Sequence, residues 1–288
     1  MSGYPAFFEK RYAALLHAFY WRCVTATSVN LTFLFLLCLE VFQDSTIAGY
    51  CLVAFLVCGC LSVLSAFTGV AHFPSPPFYR LPDTTYAFLT REWSERLSRY
   101  GYKMGPIAYR LDVTHDQIGK EILIAVLAPG FLCDQPTLVV SESFLVAADE
   151  PVIISALEHE IAHLRSGTYA AKVFASTLCT PVWCVLWCAV FFRVLAERFH
   201  LYYISEKLYG CELIIQKVSS QSFEHMFELI ADALAAQEVA GKADQYLRSL
   251  EWLEKEAGVD PRDYEHDAHI HSHPSFQTRK AFVEYVFQ

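Results

Sequence analysis

The sequence predicts a mainly α-helical fold with a small β-sheet, in which integral membrane helices carry an α+β domain. Three observations lead there. Hydrophobic residues make up 54% of the 288-residue chain and charged residues only 18%, with a mean hydropathy of +0.28, whereas soluble domains run near ~25% charged. Long stretches carry no Asp, Glu, Lys or Arg at all. Between them, two short runs with strand character precede a helix with a single apolar stripe. The same figures exclude a disordered chain. The net charge of −9 supplies no basic face for phosphates and excludes nucleic acid as a partner.

Residues 1–74 read as a transmembrane helix pair. Lys10, Arg11 and Arg22 precede an uncharged run from Cys23 to Leu39, and Ser45 to Tyr79 is again uncharged. A span needs ~20 apolar residues, so helices are placed at about 23–42 and 47–72. The loop between them, Gln43-Asp44-Ser45-Thr46, is acidic. Arg80, Arg91, Arg96, Arg99 and Lys103 follow the second helix. Basic residues flank both outer ends and none lies in the loop, which puts the N-terminus and the segment after residue 74 on the cytoplasmic side. A cleaved signal peptide fits poorly, because the apolar run starts late and a second one follows at once. Pro74-Ser75-Pro76-Pro77 marks the exit from the membrane.

Residues 75–170 form the first part of the α+β domain. A helix rich in Arg and Glu covers 84–100. Strands are expected at 121–128 and 137–146, with Gly130 and Pro136 bounding the turn. From Glu150-Pro151 a helix begins, with Ile153, Ile154, Leu157, Ile161 and Leu164 on one stripe. Residues 171–216 form a membrane-associated helix or hairpin. Val173 to Phe192 is uncharged with Pro181 in its middle, but the return over 199–215 contains His200, Glu206, Lys207 and Glu212, poor for a lipid-facing span. Residues 217–288 complete the domain. Of ten cysteines, Cys23, Cys38, Cys51, Cys58, Cys60, Cys179, Cys184 and Cys188 lie in apolar stretches and read as packed thiols rather than disulfides; only Cys133 and Cys211 lie elsewhere. Cys58-Gly-Cys60 is too tight for a zinc knuckle.

The chemistry concentrates in His159-Glu160-Ile161-Ala162-His163. Two histidines at i and i+4 share one helical face and can hold one Zn²⁺. Glu160 points about a third of a turn away, where it can act as general base toward a water that the metal activates. A helix over 222–240 places Glu228 and Asp232 one turn apart. Glu228 would complete a His₂Glu set, and Asp232 could accept the free N–H of a ligating imidazole. Glu224 and His225 are rival third ligands on that helix. The flanking Phe227, Leu229, Ile230, Ala231, Ala233 and Leu234 are apolar, so acids among them need partners. His266, His269, His271 and His273 cluster near the C-terminus, as a solvated loop or a second metal site.

His159-Glu160-x-x-His163 followed by Glu228-x-x-Ala231-Asp232 resembles the HtpX and CAAX-prenyl-protease family of membrane zinc metallopeptidases. The resemblance covers roughly 105–288 plus the N-terminal helix pair, and by length it is closer to HtpX. It implies a zincin-like α+β metallopeptidase domain with one zinc per chain, bound by His159, His163 and Glu228 with Asp232 behind them. It also implies an edge strand before the zinc helix, here Leu138, Val139 and Val140, and a downstream His-Pro with an Arg, here His273-Pro274 and Arg279. His273 would act at the metal, stabilising an oxyanion or capping the ion, whereas Arg279 reads as pairing with a local carboxylate. Phe227 departs from the family, which often has Arg there. The implied activity is zinc-dependent endopeptidase action on unfolded or membrane polypeptides at the cytoplasmic side of a lipid bilayer, as in membrane-protein quality control. A substrate-restricted signalling peptidase and a non-catalytic scaffold are the alternatives, and the intact Glu160 speaks against the scaffold.

Overall fold

The computed structural model describes residues 6–68, 78–80, 86–110, 124–127, 135–179, 189, 192–219, 221–239, 243–256 and 274–287. Two long helices open the chain, α1 (Ala6–Phe42) and α2 (Ser45–Thr68). α1 starts well before the expected residue 23. The charges up to Arg22 bound the apolar stretch, not the helix. Its first turns are held by packing instead, with Phe8 and Phe19 buried against the domain that follows. Gln43 ends α1 in the left-handed region (φ 52°), and Asp44 accepts from the N–H groups of Thr46 and Ile47 at 2.7 and 3.2 Å to start α2. Phe8–Phe42 is long and apolar enough to cross a membrane, and Ser45–Leu61 is a shorter apolar helix.

A four-stranded sheet follows, made of β1 (Phe78–Arg80), β2 (Ile107–Arg110), β3 (Ile124–Leu127) and β4 (Thr137–Ser141), in the order β1-β2-β4-β3. β4 pairs parallel with β2 and antiparallel with β3. This corrects one expectation. Leu138, Val139 and Val140 lie inside the sheet, bonded on both sides and buried, so they cannot take up an added strand. Among the described residues β3 is the edge strand beside α5. Gly105 lets β2 reach β4, because a Cβ there would sit 1.8 Å from the Pro136 carbonyl oxygen. Nor does β4 run on to residue 146. Ser141 accepts from Phe144 N–H at 3.2 Å and caps α4 (Glu142–Ala147).

The remaining helices are α3 (Ala87–Arg99), α5 (Glu150–Arg165), α6 (Tyr169–Leu178), α7 (Tyr202–Ser219), α8 (Gln221–Glu238), α9 (Ala243–Glu256) and α10 (Phe276–Phe287). α5 is central. Asp149 caps it, accepting from Val152 N–H at 3.1 Å, with Pro151 in its first turn. One face, with Ile153, Leu157 and Ile161, packs into a core of Leu89, Trp93 and Leu97 from α3 and Leu138 and Val140 from β4. The other face meets α8 and α9, where Ala162 packs against Ala231, Ala235 and Tyr246. Small residues at that seam let the helices approach closely.

α6 carries the start of the third apolar stretch, and residues 180–188 lie outside the described residues. Residues 192–198 are helical and turn back into α7 at His200, whose φ is +58°. Cys23, Cys38 and Cys179 are buried free thiols and Cys51 is half-buried, while Cys58 and Cys60 are exposed; none of these six is in a disulfide. Cys133, Cys184 and Cys188 lie outside the described residues.

Candidate metal centre

α5 and α8 bring His159, His163 and Glu228 together. Their ligand atoms all lie within 4.8 Å of one another. His159 Nε2 is 3.2 Å from His163 Nε2 and 3.3 Å from Glu228 Oε2, and His163 Nε2 is 3.5 Å from Glu228 Oε1. Zinc bonds of about 2.0–2.1 Å in a tetrahedron require ligand atoms about 3.3–3.4 Å apart. The His159–His163 and His159–Glu228 Oε2 separations match that spacing, the other carboxylate oxygen faces His163, and the donor set of two imidazoles and a carboxylate suits zinc chemically. Glu224 and His225, the rival ligands, are not part of this group.

Behind the face lies a buried ionic network. Asp232 is fully buried, and its Oδ1 lies 3.0 Å from His159 Nδ1. Arg279 of α10 donates to both Asp232 oxygens, at 2.8 Å from Nε and 2.5 Å from its terminal nitrogen. Tyr246 of α9 donates to Asp232 Oδ1 at 2.5 Å, and its oxygen is 3.0 Å from His159 Nδ1. Burial works against the Asp232 carboxylate, but the Arg279 guanidinium beside it holds its pKa well below the usual range. Burial likewise works against charge on His159, but hydrogen bonds to Asp232 and Glu228 raise its pKa to about 10. Burial lowers His163 to about 3. Without a cation, then, His159 holds a proton on each nitrogen, Nδ1 facing Asp232 and Nε2 facing Glu228.

His163 is held differently. Phe227 stacks on its ring at 4.3 Å and 14°, and Lys172 Nζ lies 4.2 Å over the Phe227 ring. The family departure at Phe227 thus becomes a wall of the site. Glu160 points to the other side, toward the sheet. Its Oε2 accepts from the backbone N–H of Val126 at 3.0 Å, joining the residue expected to act as base to the edge strand β3.

The structure therefore gathers His159, His163, Glu228 and Asp232, with Glu160 beside them. His273 and the cluster of His266, His269 and His271 lie outside the described residues. Arg279 pairs not with a local carboxylate, as expected, but with Asp232, 47 residues away. Tyr246 and Val126 are missed by sequence reasoning. Tyr246 sits in an ordinary amphipathic helix, and Val126 contributes only backbone, so neither leaves a motif.

No family model matches the chain, and no curated protein matches it by sequence. By structure it is similar to Ste24p of S. mikatae, with a TM-score of 0.55 and 18% identity, over 90% of this chain. The chain spans 63% of that neighbour's length, and the likeness is one of fold.

Proposed function

We propose that this chain is a membrane-integrated zinc endopeptidase with Glu160 as general base. The observation that carries the proposal is the convergence of His159 Nε2, His163 Nε2 and the Glu228 carboxylate, whose ligand atoms all lie within 4.8 Å of one another, with Glu160 one residue along the same helix. The fold likeness to Ste24p, a CAAX prenyl protease and zinc metallopeptidase, supports the reading, as does the long apolar helix α1 packed directly against α8.

A bound zinc ion supplies Lewis acidity toward a peptide carbonyl and acidifies a water. Asp232 holds His159 in the tautomer that presents Nε2 to the metal. Glu160 takes a proton from the attacking water and returns it to the leaving amine. β3 offers its outer edge, the side on which Val126 N–H donates to Glu160, to an extended polypeptide, so that backbone rather than side chains is read. This suits unfolded or membrane-extracted chains, cut on the side of the membrane that bears Arg and Lys.

The test is cleavage of an unfolded substrate, and of the protein itself, after purification in detergent under chelation and re-addition of zinc. Wild type should cut only with zinc. Glu160→Gln should bind zinc equally and lose about 10²–10⁴-fold in turnover. Activity retained by Glu160→Gln would sink the mechanism.

A further inference from the structure

The metal site rests on its two histidines unequally. His163 Nδ1 is buried with no hydrogen-bond partner among the described residues, and stacking on Phe227 orients its ring. His159 Nδ1 instead faces two oxygens at the same distance, Asp232 Oδ1 at 3.0 Å and Tyr246 Oη at 3.0 Å. Tyr246 gives its own proton to Asp232 Oδ1, so its lone pairs are left to face His159. The Nδ1–H is thus shared between two acceptors in a three-centre bond.

We infer that Tyr246 is a positioning residue, which with Asp232 fixes the tilt of the His159 ring so that Nε2 meets the metal in line with His163 and Glu228. One acceptor fixes the tautomer but leaves the ring free to rock about it. Two acceptors restrain it in both directions. Tyr246 is well placed for this. It is 2% exposed, packs with Ala162, Ala231 and Ala235 in the α5–α8 seam, and belongs to a helix pinned to α5 by the Ser155–Ser249 hydroxyl pair at 2.9 Å. The inference rests on the metal-site reading above.

The test is Tyr246→Phe in the full-length protein in detergent, with Tyr102→Phe as control. Tyr102 also bonds α5, through Leu164 O at 3.3 Å, but lies away from the metal ligands. Removing the Tyr246 hydroxyl leaves Asp232 with both Arg279 bonds and leaves Nδ1–H with Asp232, so the fold should survive with a similar melting temperature in chelator. Zinc affinity, read by competition with a chromogenic chelator, should fall about tenfold, at the lower end of the range for groups that orient a metal ligand. The visible spectrum of the cobalt-substituted protein should shift, because the ring's approach to the ion changes. Tyr102→Phe should change neither. Equal zinc affinity and an unchanged cobalt spectrum in Tyr246→Phe would overturn the inference while leaving the metal site standing. Failure of the wild-type protein to take up either metal would overturn both.

Discussion

Arg279 is the residue on which the buried side of the metal site most depends, and its removal has a calculable effect. Asp232 is fully buried and stays so when Arg279 becomes Met, so the desolvation of its charge is not recovered. An ion pair with charge centres about 4 Å apart is worth about 4 kcal/mol at an effective dielectric near 20. Breaking one partner of a buried pair typically destabilises by about 3–5 kcal/mol. For a large domain each kcal/mol shifts the midpoint by about 2–4 °C, so Arg279→Met should lower the melting temperature by roughly 6–20 °C. The sign with pH follows from the lowered Asp232 pKa. That carboxylate contributes its stability above its unfolded value near 3.8 and loses it as pH falls through the folded value. In the variant Asp232 takes up a proton more easily, so the gap to wild type should narrow as the solution is acidified. A second variant separates stability from metal binding. Asp232→Asn with Arg279→Met removes both charges and should recover much of the lost stability, yet still bind zinc poorly, because His159 has lost its charged acceptor. The assays are thermal melts in detergent across pH, with zinc affinity measured by chelator competition. A shift of less than about 2 °C in Arg279→Met would refute the reasoning.

Three further outcomes follow from the same geometry. Metal-free His159 keeps its proton up to about pH 10, so zinc must displace it; log affinity should rise by about one per pH unit from 6.5 to 8.5, and a flat profile would contradict this. The same raised pKa stabilises the metal-free protein fully below about 6.5, and that contribution should fade as pH rises toward 10. Gly105→Ala places a Cβ 1.8 Å from the Pro136 carbonyl oxygen, forcing β2 from β4, and should cost about 1–3 kcal/mol or more in thermal melts; a melt indistinguishable from wild type would mean the strands shift freely. Val126→Pro removes the N–H that donates to Glu160 Oε2 from the outer side of an edge strand, where proline is tolerated. Its melting temperature should hold while kcat/KM on an unfolded chain drops about 2–12-fold, the worth of one hydrogen bond, and Val126→Ala should behave as wild type.

The candidate metal group was legible because a helix has a fixed period. His159 and His163 share a face at i and i+4 whatever surrounds them, and Glu228 and Asp232 share another. The apolar length of α1 was likewise legible, since uncharged length is a property of composition. Yet charge marked where the apolar stretch begins rather than where α1 does, because the helix is continued by packing of Phe8 and Phe19 that no local pattern records. Strand order was not legible either. Thr137–Ser141 reads as a strand, but whether it is edge or interior depends on Ile107–Arg110 and Ile124–Leu127 arriving on either side. Pairing between segments distant in the chain leaves no mark in either one. Tyr246 and Arg279 come from α9 and α10, 14 and 47 residues beyond Asp232. The carboxylate's need for partners could be read from its apolar neighbours, but their identity is set by which helices pack against α8. Periodicity and composition act within a segment; the bond between Glu160 and the β3 edge, and the hydrogen-bonded network behind His159, arise only where segments meet.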